Sequence, residues 1–135
     1  MEQLTLFFSL LFFCAFAIYL FSGAYMIHIN SKAALNRVFF AICVSLCFWS
    51  LGFAIANSAS TVEMCIVWRR VSAVGWGTVY SLLLHFLLLL TGGSRSHRRW
   101  NLRWLLYLPA VVCLYFFVIH NETAVGQYNL VKMSY

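Results

Sequence analysis

The sequence predicts an all-α, polytopic membrane protein with four transmembrane helices and its N-terminus outside. Three observations carry that reading. Hydrophobic residue types make up 64% of the 135 residues and charged types 9%, against about 45–50% and about 25% in soluble domains. Charge-free stretches of spanning length alternate with short loops that hold the cations. Runs such as LFFSLLFFCAFAIYLF at 6–21 are continuous, whereas a membrane β-barrel strand would alternate over about ten residues. The same composition excludes a disordered chain, and no polar stretch is long enough to fold into a separate water-facing domain.

Four stretches contain no Asp, Glu, Lys or Arg: Gln3–Ser31, Val38–Val62, Val71–Ser94 and Trp104–Asn121. A helix needs roughly 20 apolar residues to cross about 30 Å of hydrocarbon. The first three stretches exceed that, and the fourth sits at its lower edge. The expected helices are about 4–29, 38–57, 65–91 and 104–120, forming one membrane domain over 1–120, with a polar extracytoplasmic tail at 121–135. The first helix is expected to be retained rather than cleaved. Met1-Glu2-Gln3 has no basic n-region, and the apolar run is too long for a signal peptide.

Loop charge sets the orientation. The connection GGSRSHRRWNLR at 92–103 carries Arg95, Arg98, Arg99 and Arg103, and the loop before helix 2 carries Lys32 and Arg37. Both belong on the cytoplasmic side. The N-terminus, the loop with Glu63 and the tail then lie outside. Arg69 and Arg70, at the outer start of helix 3, oppose this assignment but are outnumbered. The net charge of +6 therefore reads as membrane topology rather than as a nucleic-acid surface.

Asn36 is expected to cap helix 2 by accepting from its first N–H groups. Gly92-Gly93 should stop helix 3. Pro109 should lie one turn into helix 4, early enough that a missing N–H costs little. Small residues four apart (Ala41/Ser45, Gly52/Ala56, Ala73/Gly77) favour close helix approach in lipid. They direct helices 2 and 3 toward other helices and leave the Leu/Phe-rich helix 1 facing more lipid. Trp68, Trp100 and Trp104 resemble interfacial belt residues, and Trp49 lies within a turn or two of an interface.

The chemistry-bearing residues are few. Cys14, Cys43, Cys47, Cys65 and Cys113 show no zinc spacing, and four of them lie in spans, where cysteine packs as a small hydrophobe. No metal and no cofactor is expected. His28, His97 and His120 lie at helix ends or in the basic loop. His85 lies within helix 3 among leucines, and an intramembrane ionisable group is a functional candidate by default. Its alternatives are a hydrogen bond to a neighbouring helix, or a ligand, proton or signalling role. Arg69 and Arg70 either extend to headgroups or meet an anionic group, or Glu63, in an outward-facing pocket. Asn121-Glu122-Thr123 matches a glycosylation sequon that carries no meaning in a bacterium. With three carboxylates, no phosphate loop and no nucleophile set, no catalytic residue is assigned, and the chain is not expected to be an enzyme.

NRVFFAICVSLCFWSLGFAIANSAS (36–60) and VWRRVSAVGWGTVYSLLLHFLLLLTG (67–92) carry a family pattern. It comprises Asn36, Trp49, Trp68–Arg70, Gly75, His85-Phe86 and Thr91-Gly92, followed by the basic loop and Pro109. Over roughly 30–120 the chain resembles the N-terminal seven-transmembrane sensor region of bacterial histidine kinases and diguanylate cyclases. That resemblance implies an outside N-terminus, in agreement with the charge-based orientation. It also implies a sensory role in the bacterial inner membrane, with Arg69, Arg70, Trp76 and His85 as candidate ligand-binding residues. The family has about seven helices and an output domain. This chain, with four helices and no kinase or cyclase module, reads as a fragment, a truncated product or a stand-alone relative.

The leading expectation is therefore a sensory input domain for an unknown ligand or membrane cue. The alternatives are a small accessory subunit of a larger membrane complex and, less favoured, a transporter or membrane-enzyme fragment. The expected partners are the lipid bilayer and either a second copy or a larger membrane protein, with no nucleic acid. The topology has a direct check. Cysteines placed in Ser94–Arg103 should resist a membrane-impermeant maleimide in intact cells and react after permeabilisation; labelling of intact cells would reverse the orientation.

Overall fold

The computed structural model describes residues 2–91 and 100–119, which are helical apart from the turns between helices. Helix α1 spans Glu2–Ile29, α2 Ala34–Ser58, α3 Val62–Leu90 and α4 Trp100–Leu114. The last continues into a wider, π-helical turn at Tyr115–Ile119. Three helices are long and apolar enough to cross a membrane, and a fourth apolar stretch, Leu105–Phe117, is shorter. The basic loop with Gly92-Gly93 and His97, and the tail with its sequon, lie outside the described residues.

The helices pack in chain order: α1 on α2, α2 on α3, and α3 on α4 and its π turn. As expected, α1 is the lipid-facing member. Leu4, Phe7, Phe8, Leu10, Phe13 and Phe21 are among its many exposed apolar side chains. Its contact with α2 runs through Gly23, where an added Cβ would come within 2.8 Å of Cys43 Cβ. It continues through a Phe12–Phe53 stack at 5.4 Å and a hydrogen bond from the Ser9 hydroxyl to the Ala54 carbonyl.

The α1–α2 turn corrects the expectation for Asn36. Helix α2 begins at Ala34, three residues earlier than a cap at Asn36 would allow, and Ala33 at its N-cap makes no side-chain cap bond. Asn36 instead donates through Nδ2 to the carbonyls of Met26 and Asn30, each at 3.1 Å. Both lie at the C-terminal end of α1, where the Met26 carbonyl otherwise accepts only a long bond from the Asn30 N–H at 3.5 Å and the Asn30 carbonyl lies past the last helical residue. The loop's own N–H groups are met by Asn30, whose Oδ1 accepts from Lys32 at 3.0 Å and Ala33 at 3.2 Å. Thr61 opens α3 as an N-cap, accepting from the Met64 N–H.

The core is the α2–α3 seam. Ile42, Cys43, Ser45, Cys47, Ser50, Gly52, Ala54 and Ala56 are buried on α2; Ser72, Ala73, Gly75, Gly77, Val79 and Ser81 are buried on α3. Most are small, and the backbones approach accordingly. A Cβ on Gly52 would lie 2.6 Å from Ser72 Cβ and 2.8 Å from the Trp68 carbonyl oxygen. One on Gly75 would collide with the Ser45 carbonyl oxygen and the Trp49 nitrogen. Ser45 Oγ lies 2.7 Å from the Gly75 carbonyl and 2.6 Å from Thr78 Oγ1, which in turn reaches the Val74 carbonyl at 2.8 Å. The two hydroxyls thus join a chain of acceptors across the α2–α3 seam.

Pro109 is also corrected. Helix α4 starts at Trp100, four residues before the expected start, so Pro109 lies inside it. There it removes a donor from the i→i−4 ladder. The π turn begins six residues later, so the ladder of α4 departs from regular α geometry twice.

The close approach makes the two glycine faces of α3 unequal. Gly75→Ala should destabilise the detergent-solubilised chain by about 1–3 kcal/mol, because the obstructing atoms are backbone. Gly77, whose nearest neighbour to an added Cβ is Cys113 Cβ at 3.5 Å, should accept alanine with no loss, or with a gain of up to about 1 kcal/mol from helix propensity. Thermal unfolding of the two variants is the measurement, and equal losses would contradict the packing described.

Candidate functional site

The four candidate residues all lie on α3, so their relative placement follows from one helix. Arg69 and Trp76 are seven residues apart and share a side. His85, nine beyond Trp76, falls on the opposite side. Along the axis, Arg69 and His85 are about 24 Å apart. One small-molecule pocket cannot include both. The set divides into an upper group of Arg69, Arg70 and Trp76, and a lower one built on His85.

In the upper group, the Arg69 guanidinium carbon sits 5.6 Å from the centre of the Phe53 ring, and Phe53 in turn stacks on Phe12. One cation and two rings from three helices thus form a layer. A guanidinium over an aromatic face is attracted by the ring quadrupole, by about 2 kcal/mol or more when water is excluded. Arg69 and Arg70 are both half-buried, and the Nε atom of each is inaccessible to solvent. Part of each side chain therefore lies within the helix bundle. Beneath Arg69 lies Ser72, 1% exposed, whose hydroxyl turns back to the Arg69 carbonyl at 2.8 Å.

Trp76 lies at the midpoint of α3. Its ring meets Phe117 edge-on, with centroids 4.8 Å apart, so it contacts the π turn that follows α4. Such turns recur at functional sites in helices. The sequence motifs did not include Phe117, because α3–α4 pairing cannot be read from either helix alone.

His85 is held by α4. Its Nδ1 is 2.8 Å from the Tyr107 hydroxyl, and the two rings meet edge-on at 6.0 Å. When the phenol donates, the imidazole is neutral and carries its proton on Nε2; the opposite tautomer donates from Nδ1 to the phenol. Either way an intramembrane histidine has a polar neighbour on another helix, the structural alternative raised by the sequence. Trp76 and His85 therefore touch α4 from opposite sides of α3, one through Phe117 and the other through Tyr107. Tyr107 was absent from the candidate set because nothing in the local sequence sets it apart from other apolar-helix tyrosines.

Among the described residues, no group of three His, Cys, Asp or Glu side chains comes together to hold a metal ion. The five cysteines are free thiols, with Cys43 and Cys47 buried. The Cys47 thiol points at the Phe16 carbonyl 3.7 Å away, across the α1–α2 contact. This arrangement suits packing and offers no ligand set.

The His85–Tyr107 bond should show in a double-mutant cycle. His85→Leu and Tyr107→Phe should couple by about 0.6–1.7 kcal/mol in detergent or bicelle unfolding, the range of interhelical hydrogen bonds in membrane proteins. Additive effects would place the two side chains out of contact.

The family model for the N-terminal 7TM region of histidine kinase matches residues 6–132. No curated protein and no solved structure matches the chain. The match runs through all four helices and takes in every candidate residue. The chain therefore belongs to the family of N-terminal seven-transmembrane regions of histidine kinases.

Proposed function

We propose that the chain is a sensory input element of a bacterial signal-transduction protein. It crosses the inner membrane several times with its N-terminus outside, and it responds to a ligand or membrane cue at the upper part of α3. The observation that carries this reading is the family match over residues 6–132. That family describes the membrane region of a kinase rather than its catalytic module, so the role is to receive a signal and not to transfer phosphate.

The arrangement of α3 supports the same reading. One side of α3 is fixed to α2 by glycine contacts. Another meets α4 through ring edges and the His85–Tyr107 bond. Arg69 and Arg70 lie in the half of α3 that the loop charges put outside, and Trp76 lies at its midpoint. An anionic group arriving there meets two guanidiniums in a medium of low dielectric, where charge pairing is strong. Trp76 links that end to the π turn beyond α4. We assign Arg69, Arg70 and Trp76 to the sensing group, and His85 to the support of α4 through Tyr107.

The test is made in cells. With the genomic copy carrying Arg69→Gln or Trp76→Ala, and membrane abundance confirmed by immunoblot, the phosphorylated fraction of at least one response regulator should change severalfold on phosphate-affinity gels. If regulator phosphorylation is unchanged while loss of the chain depletes another membrane protein, the accessory-subunit reading replaces this one.

A further inference from the structure

The helices differ in apolar length. Leu4–Ile29 of α1 covers 26 residues, about 39 Å of helix. The charge-free parts of α2 and α3, 38–58 and 71–90, are each about 30 Å long, which is the thickness of an ordinary hydrocarbon core. On α4 the run between Arg103 and His120 is 104–119, about 24 Å as regular α-helix. It is shorter still in the structure, because Tyr115–Ile119 is a π turn, whose i→i+5 bonding puts more residues into each turn. Helix α4 is thus about 6 Å short of α3, on which it packs. A long span such as α1 can tilt. A short one thins the bilayer or shifts against its neighbours, at a cost that grows with each ångström of mismatch.

The contacts of α4 decide where it gives. Near its start it is held to α3 by the His85–Tyr107 bond at 2.8 Å. Two residues beyond Tyr107, Pro109 removes a hydrogen bond from the ladder, and the π turn follows. Past Pro109 the seam is loose. Cys113 Cβ stands 3.5 Å from a Cβ added at Gly77, and Phe117 meets Trp76 by a ring edge, with centroids 4.8 Å apart. Neither contact is a hydrogen bond, and neither sets backbone against side chain as Gly52 does against Ser72. Helices α2 and α3, matched to the bilayer and joined through that tight seam, form the fixed part.

We propose that the α3–α4 seam gauges the thickness of the hydrocarbon: in a thin bilayer Phe117 stays on Trp76, and in a thick one the outer half of α4 lengthens and leaves α3. His120, Asn121 and Glu122 follow the apolar run in the sequence, and polar groups are costly to draw into hydrocarbon. Thickening therefore pulls that end of α4 away from Tyr107. The added length comes from the π turn, whose return to i→i+4 bonding stretches the helix and turns Phe117 about its axis, off the Trp76 ring. The lipid is recognised by its acyl chains and not by its headgroup. This deepens the sensory reading by naming its membrane cue, and it rests on that reading only for the use the cell makes of the movement. The movement itself is measured below without any signalling output, so either can fail alone.

The experiment reads the seam by disulfide formation. The full chain carries Gly77→Cys, keeps Cys113, and has its other native cysteines replaced by alanine. The added Cβ lies 3.5 Å from Cys113 Cβ, at the close end of the range a disulfide spans. The chain is reconstituted in dimyristoleoyl, dioleoyl or dierucoyl phosphatidylcholine, in order of increasing thickness, and oxidised with copper phenanthroline. The initial rate of the bond between position 77 and Cys113 should fall about tenfold from the thinnest lipid to the thickest. Adding His120→Leu, Asn121→Leu and Glu122→Leu brings the apolar run of α4 close to the length of those in α2 and α3, and the rate should then stay within about twofold across the three lipids. Both chains share pair, oxidant and lipid, so oxidant access cancels between them. A rate independent of lipid in the first chain, or an equal fall in both, would overturn the proposal. A second readout keeps every native cysteine. Phe117→p-benzoylphenylalanine should crosslink to the α3 peptide around Trp76 in dimyristoleoyl vesicles and to lipid in dierucoyl ones; the same product in both would also overturn it.

Discussion

The close approach of α2 and α3 is the contact on which the other placements depend. In lipid there is no hydrophobic gain in bringing two apolar helices together, so association rests on van der Waals contact and interhelical hydrogen bonds. Gly52 against Ser72 and Trp68, and Gly75 against Ser45 and Trp49, let the backbones meet with no side chain between them. Where the backbones touch, the Ser45 and Thr78 hydroxyls satisfy each other and the Gly75 carbonyl. That combination sets the rotation of α3 about its own axis. Once the rotation is set, Arg69 meets Phe53, Trp76 and His85 meet α4, and Tyr80 is turned outward.

The second seam is built differently. Where α3 meets α4, an added Cβ on Gly77 would be at ordinary van der Waals distance from Cys113. The remaining specific contacts are the Trp76–Phe117 edge and the His85–Tyr107 pair. Helix α4 itself departs from regular geometry, with Pro109 in its interior and a π turn at its end. A sensory region needs one part that keeps its shape and another with more than one arrangement, since signals cross a bilayer as relative movement of packed elements. The glycine seam suits the first role. The ring-edge seam, which borders the Arg69–Trp76 side, suits the second.

Much of this architecture was legible in the chain. Uninterrupted hydrophobic runs located the helices to within about four residues, because the cost of a charge in hydrocarbon leaves little freedom in where a span can end. The small residues at Gly52/Ala56 and Ala73/Gly77 marked the helix faces that are in fact buried. His85 was singled out for being ionisable within a span, and it does have a polar neighbour. Asn36 and Pro109 were misplaced for a common reason. Each expected role assumed a helix start, and both helices begin before the last charge of the preceding loop, at Ala34 before Arg37 and at Trp100 before Arg103. A charged side chain in a first helical turn still reaches the interface, so the charge-free stretch underestimates the helix.

Composition and loop charge by themselves determined that this chain is helical and membrane-embedded, because every backbone polar group in a bilayer must be satisfied within its own segment. Local pattern also singled out Arg69, Arg70 and His85 as unusual residues, and the family resemblance added Trp76. Only the tertiary structure decided which of them are neighbours. Phe53, Tyr107 and Phe117 come from other helices, and their contacts depend on how far each helix is rotated about its axis. In a lipid-facing bundle almost any rotation leaves apolar side chains in apolar surroundings, so hydrophobic pattern carries little information about it. The glycine contacts of α2 and α3, and the few hydrogen bonds between helices, supply that information.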